Sequence, residues 1–268
     1  IGFNIIYNST GIINFAQGEF VMLGGMLAYT LHPYMPLAAA IWIAVLLTAG
    51  IGSLLEFVFI RRLFKKRVKP NVLQMIVITI GFSILLRVVA LQVWGEQVKT
   101  LPFFTGNETS SIALFGAHFS PQILWVLVIT GLIVLALSLY FKYTLAGQAM
   151  RGCADTTEGA SLCGIKPQAI VNLSFALSAG IGALAGCIIA PITQIQYAMG
   201  SELAIKGFTV AVFGGMGNSI GALLAGLILG ILEAFAIVIF PEAYKNIISI
   251  AILLAVLFFR PAGLFGSK

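Results

Sequence analysis

Asp155 and Glu158 stand three positions apart in the polar stretch 142–168, KYTLAGQAMRGCADTTEGASLCGIKPQ. At that spacing an N-cap side chain and a carboxylate in the first helical turn exchange hydrogen bonds with otherwise free backbone amides. Gly164 and Pro167 follow as a stop signal, so the pattern predicts a short helix over 156–163, about 12 Å long. Such a helix is too short to cross a bilayer, and between two long apolar runs it reads as a handle held outside the membrane for a separate partner. The other residues able to do chemistry are few. Glu19, Glu56, Arg87 and Glu233 lie inside apolar regions, where ionisable groups are functional candidates by default. Glu56, close before Arg61, reads as structural, and Arg87 either snorkels outward or pairs within the bundle. Glu19, beside Asn14 and Gln17, and Glu233 read as candidates for a solute path or for a bond between two helices.

Enzymatic chemistry has no foothold. The chain contains no GxxxxGK[ST] phosphate loop, no HExxH and no nucleophile elbow, so energy from ATP must come through a partner and no cofactor is expected on this chain. His32 and His118 fall at predicted outer boundaries without companion ligands. Cys153 and Cys163 lie in the polar stretch and Cys187 in an apolar run, with neither disulfide nor zinc spacing, so no metal site is expected. The net charge of +6 resides in loops beside apolar segments, where it sets membrane orientation and does not signal nucleic acid.

The elements that carry these residues are membrane helices. Of 268 residues 60% are hydrophobic and 9% charged, and the mean hydropathy of +1.05 lies outside the range of soluble domains. Uncharged runs at 121–141 and 167–191 lack the period-two alternation of a barrel and are each long enough to cross about 30 Å of hydrocarbon. The fold class is all-α: one polytopic transmembrane domain over 1–268, with about seven to eight membrane segments and interrupted helices. The chain opens at Ile1 inside an apolar stretch, from which part of an N-terminal segment is expected to be missing.

Residues 1–31 read as two helical pieces joined by a polar, glycine-bearing break. Spans are predicted at 37–60, 71–94, 121–141 and 167–191. The basic cluster Arg61, Arg62, Lys65, Lys66, Arg67 and Lys69 places its loop in the cytoplasm, and the handle and the C-terminus with it. Residues 95–120 and 192–206 read as outer connections. Residues 207–240 are too long for one comfortable span, and Gly214, Gly215, Gly217 and Asn218 mark where a half-length helix turns into a full one. Irregular backbone at membrane depth needs protein or a water-filled cavity around it, so both breaks should face the bundle interior. Small residues at four-residue spacing, Ser174, Ser178, Gly182, Gly186 and Ala190 in one span and Ala222, Gly226, Gly230 and Ala234 in another, predict close helix packing within the chain or against a second copy. With few interior charges, a transported solute should be neutral or zwitterionic.

Four stretches together resemble the branched-chain amino acid permease family of ABC importers: GIINFAQGEF at 11–20, the handle from Ala149 through Ile165, VFGGMGNSIGA at 212–222 and RPAGLFG at 260–266. The resemblance implies an inner-membrane permease subunit that moves branched-chain or related neutral amino acids by alternating access. It implies two ATP-binding subunits that hold the ATP and Mg, a second permease subunit, identical or related, and an extracytoplasmic binding protein. Asp155 and Glu158 would cap the coupling helix, with Ala160, Ser161, Leu162 and Gly164 also in the docking region. Asn14, Gln17, Glu19, Gly214, Gly215, Gly217, Asn218 and Glu233 would lie near the path or its gate. Relatives with the same pattern move urea or short amides, and from another class a passive channel for a small neutral solute competes, although a channel has no need of a docking handle.

Overall fold

The computed structural model describes residues 1–62, 72–106, 110, 112–114, 117–239 and isolated positions between 247 and 264. The predicted basic loop beyond Arg62, and the inward run of the last apolar segment to Arg260 and Lys268, lie outside the described residues.

The chain is an all-α polytopic bundle. Its continuously described helices are α1 (Gly2–Thr10), α2 (Gln17–Leu31), α3 (Leu37–Leu55, extended by a π-helical turn Glu56–Ile60), α4 (Val72–Trp94), α5 (Pro121–Tyr143), α6 (Leu145–Asp155), α7 (Thr157–Leu162), α8 (Pro167–Thr193), α9 (Met199–Gly214) and α10 (Ser219–Ile239). Among the described residues five helices are long and apolar enough to cross a membrane: α3 with its π-turn, α4, α5, α8 and α10. At 15 and 16 residues, α2 and α9 reach only about 22–24 Å and fall short of the hydrocarbon thickness. A small antiparallel hairpin, β1 (Ile112–Leu114) with β2 (Ala117–Phe119), lies between α4 and α5. Lys99 in the same connection exchanges backbone hydrogen bonds of 2.8 and 2.7 Å with Ile195, after α8. The two connections predicted on one side therefore do meet.

Both predicted breaks are present, at 11–16 between α1 and α2 and at 215–218 between α9 and α10. One boundary differs. The outer connection expected at 192–206 is shorter, because α9 already begins at Met199 and carries Glu202 and Lys206 as helical residues. The charges that suggested a solvated loop are accommodated on a helix, and Lys206 finds a carboxylate on α10.

The core forms where α8 and α2 cross, with α1 and α3 packed on α8 and with α3 and α9 on α2. Glycine sets these approaches. A Cβ at Gly186 would collide with the Val21 carbonyl of α2, one at Gly24 with the Ala183 backbone, and one at Gly52 with the Ala179 side chain. Ser174, Ser178, Gly182 and Gly186 are buried, so the predicted stripe on α8 is a packing seam. On α10 the stripe behaves otherwise: a Cβ at Gly226 would make only ordinary contact with Val210, and one at Gly230 would meet no described atom within 4 Å. Outer faces of α3, α5 and α10 present large apolar side chains such as Leu46, Leu132 and Phe235, an arrangement suited to lipid.

Candidate functional site

The two interrupted segments pack against each other. Asn4 and Asn8, one turn apart on α1, donate through Nδ2 to the carbonyls of Asn218 (2.9 Å) and Gly217 (2.8 Å) in the second break. Phe208 of α9 touches Phe3 of α1 and Phe15 of the first break. Gly217 holds φ +90°, and a Cβ there would also meet Asn8 Oδ1 at 2.5 Å, so only glycine satisfies both backbone and neighbour. Asn218 Oδ1 accepts from the Gly221 amide at 2.9 Å and caps α10. Gly214 is buried against the first turn of α10. The C-terminal motif reaches the same place, with Leu264 donating its amide to the Phe213 carbonyl at 2.8 Å. Gly214, Gly215, Gly217 and Asn218 thus build the turn itself.

Gln17, Glu19 and Asn14 have different fates. Gln17 Nε2 donates to the Ser178 carbonyl at 3.0 Å, and Ser178 Oγ lies 2.6 Å from Gln17 Oε1 and 2.8 Å from the Gly2 carbonyl. Both ends of the amide are thereby spent tying α2 to α8, and Gln17 is a cross-link. Gln17→Leu is expected to lower stability by about 1–3 kcal/mol, because it leaves buried partners on Ser178 unpaired. Thermal unfolding in detergent measures this, and an unchanged midpoint would show the cross-link to be dispensable. Glu19, 1% exposed, accepts from Ser83 Oγ (3.0 Å) and Arg87 (3.1 Å) of α4, both on its Oε1. Asn14, fully buried in the first break, accepts from the Ala16 amide through Oδ1 (3.1 Å) and has no partner for Nδ2.

The remaining membrane acids also bond across helices. Glu233 of α10 pairs with Lys206 of α9 at 3.0 Å. Glu56 Oε2 accepts from Asn172 of α8 at 2.7 Å, while Asn172 also donates to the Ser53 carbonyl, so these contacts tie the end of α3 to α8, with Glu56 Oε1 left without a partner. Sequence reasoning missed Ser83 and the Lys206–Glu233 pair and left Arg87 undecided. The spacing Thr79, Ser83, Arg87, one polar residue per turn of α4, was the available signal. Thr79 accepts from the Phe15 amide at 3.3 Å, so this whole row faces the first break and α2. Among the described residues no group of acidic, histidine and cysteine side chains could hold a metal.

At the opposite end of α5 from the hairpin, the chain folds into the handle. Thr144 caps α6 by accepting from the Gly147 amide at 3.0 Å, and Arg151 donates back to the Phe141 carbonyl. The expected capping box is not formed as read. Asp155 is the last residue of α6, the N-cap of α7 is Thr156 with extended φ −148° and ψ 108°, and the third helical position is Gly159, which has no carboxylate. An N-cap needs non-helical backbone, and Asp155 is still in helix. The stop does form as predicted: Gly164 takes φ +79°, its amide bonds to the Ser161 carbonyl (3.0 Å) and that of Ile165 to Ala160 (3.1 Å), a Schellman end. Ala160 is only 6% exposed and points into the chain, which removes it from any docking face, whereas Leu162 is 90% exposed and Ser161 is exposed beside it. Leu145, 86% exposed, borders an apolar groove of about 600 Å³ shared with Ala149, Ile165 and Ala169.

Apolar spans around two mutually packed, interrupted segments, with a structured handle at one end, define a membrane transport subunit. Residues 1–257 match the family described as "Branched-chain amino acid transport system / permease component", and the chain belongs to that family. It is 32% identical to the high-affinity branched-chain amino acid transport system permease protein BraD of Pseudomonas aeruginosa, over 99% of this chain and 90% of that protein. It is 30% identical to the corresponding LivH protein of Escherichia coli K12 (99% and 89%) and 26% to a probable LivH of Methanocaldococcus jannaschii (99% and 87%). No solved structure matches the chain. The protein is therefore a multi-pass membrane permease subunit of the ABC importer type and not an enzyme, and membership in the family implies ATPase and binding-protein partners.

Proposed function

We propose that this chain forms the path through which branched-chain or related neutral amino acids cross the inner membrane by alternating access. In this reading two separate ATP-binding subunits hold the ATP and Mg, the chain itself binds no cofactor, and a second permease subunit, identical or related, completes the pore. The open face of α10 at Gly230 suits close approach by that second subunit, since no described residue of this chain fills it. An extracytoplasmic binding protein delivers the solute on the hairpin side. The handle (142–168) and the C-terminus lie in the cytoplasm, where α7 meets the ATPase through Ser161 and Leu162.

The observation that carries this reading is the pairing of charge where the interrupted segments meet. Glu19 with Arg87 and Glu233 with Lys206 cancel, so these two pairs present no net charge to select an ion, while polar atoms remain for a neutral or zwitterionic solute. The relatives named for branched-chain amino acids match over nearly their whole length, which favours this cargo over urea or amides. Uptake into vesicles containing the full complex tests it. Leucine is expected to accumulate above its external concentration only with ATP and binding protein. Downhill flux without ATP, or accumulation of urea in place of leucine, would overturn the proposal.

A further inference from the structure

Resting on the reading that the cargo is a neutral amino acid, we propose that Glu19 and Arg87 form a binding site for the zwitterionic head group, Arg87 taking the α-carboxylate and Glu19 the α-ammonium. The pair is incompletely used as it stands. Ser83 and Arg87 both donate to Glu19 Oε1, while Oε2 is buried and has no hydrogen-bond partner. A carboxylate has about four acceptor sites, and a buried oxygen without a donor is under-used as an acceptor. Arg87 contributes one amino group to the pair, and its buried Nε is likewise unpartnered, although a guanidinium can present a two-pronged fork to a carboxylate.

Surroundings favour exchange over a permanent brace. The Arg87 side chain is 33% exposed while that of Glu19 is 1% exposed, so the cation is the member of the pair at the surface of this chain and the anion lies behind it. Gly200, in the first turn of α9, lies against Oε2, and a Cβ there would collide with the carboxylate. Three elements converge on the pair: the start of α2 after the first break, α4 and the start of α9. Ser83 and Arg87 stand about 16 and 22 Å along α4 from Val72, near mid-membrane depth, where transporter sites between interrupted helices are found.

Charge balance supports the exchange. Cargo carboxylate and ammonium are carried on one α-carbon, so a single amino acid can replace each half of the ion pair for the other. The site is neutral when empty, neutral when filled, and closes on itself after release. A solute lacking either charge leaves one member of the separated pair without a counter-charge, which is costly within the span. The site would thus reject amides and carboxylic acids of the same shape.

The test is equilibrium binding of radiolabelled leucine to the assembled permease–ATPase complex in lipid nanodiscs, without the binding protein. Leucinamide, which lacks the carboxylate, and isocaproate, which lacks the ammonium, are expected to compete about tenfold or more weaker than leucine. E19Q and R87Q are expected to weaken binding by a similar factor, with R87K recovering part of it, and co-purification of the ATPase reports that each variant assembles. If the variants fail to assemble, competition on the unaltered complex decides alone. Equal competition by leucinamide and leucine, or variants binding within about twofold of the unaltered complex, would overturn the site. A complex that takes up leucine but binds none without its binding protein overturns this site and leaves the importer reading standing. One that neither binds nor takes up leucine removes that reading, and this site with it.

Discussion

Gly186→Leu is expected to abolish most of the folded protein recovered from the membrane. At this position the backbones of α8 and α2 are in direct contact, and even a Cβ would strike the Val21 carbonyl. The contact is glycine-mediated from both sides, since a Cβ at Gly24 of α2 would strike the Ala183 backbone of α8. Overpacking in an adaptable core costs about 1–3 kcal/mol because neighbouring side chains can change rotamer. Backbone against backbone offers no such escape, so here the cost should reach about 3 kcal/mol or more. Pushing the helices apart also strains the Gln17–Ser178 bonds that anchor the first break. Gly230→Leu is the internal control: a Cβ at that position on α10 meets no described atom within 4 Å, and the substitution should change recovery of the isolated chain little. Recovery of monodisperse protein by size-exclusion chromatography separates the two, and equal recovery of both variants would remove the seam from the account.

The contrast between those two glycines shows what sequence can and cannot reveal. Four-residue spacing of small residues marks a helix face, and it marked both α8 and α10 alike. Which face meets a helix of the same chain depends on tertiary arrangement, and nothing local distinguishes Gly186 from Gly230. The breaks at 11–16 and 215–218 were legible because glycine and asparagine clusters inside apolar runs have few other uses at membrane depth. The start of α9 at Met199 was not. Glu202 and Lys206 looked like loop residues, and only the carboxylate of Glu233, 27 positions later, explains why Lys206 can sit on a helix in the bundle.

Ionisable groups show the same division. Glu19 and Glu233 could be singled out by composition, but their partners lie on α4 and α9, and long-range pairing is not written in any local pattern. Arg87 admitted two readings until Ser83 and Thr79 were seen to share its face. The handle was recognisable from polarity and its stop signal, while its start was misplaced by one residue. Asp, Thr and Thr at 155–157 are all acceptable near an N-cap, and the choice fell to the residue at which α6 ends.

That one-residue shift changes which substitution should uncouple the permease most. With Thr156 as N-cap and no side-chain cap bond, α7 is held by its Schellman end and by Ala160 packing inward. The face left to a partner is led by Leu162, 90% exposed at the end of a helix outside the spans. Leaving such a side chain in water forgoes about 1.5–3 kcal/mol that burial would provide, and nothing in the described chain covers it. Leu162→Asp should therefore spare the fold of this chain, as exposed substitutions do, yet place a charge where the ATPase is proposed to close over an apolar contact. A central interface residue of this kind is worth about 2–4 kcal/mol, or roughly 30- to 1,000-fold in affinity. Expected results are normal recovery of the permease, loss of co-purifying ATP-binding subunits and loss of ATP-driven uptake. Retention of the ATPase with full uptake would mean that α7 docks through another face. Retention of the ATPase with uptake lost would place Leu162 in transmission of the nucleotide-driven movement, after docking has been secured elsewhere.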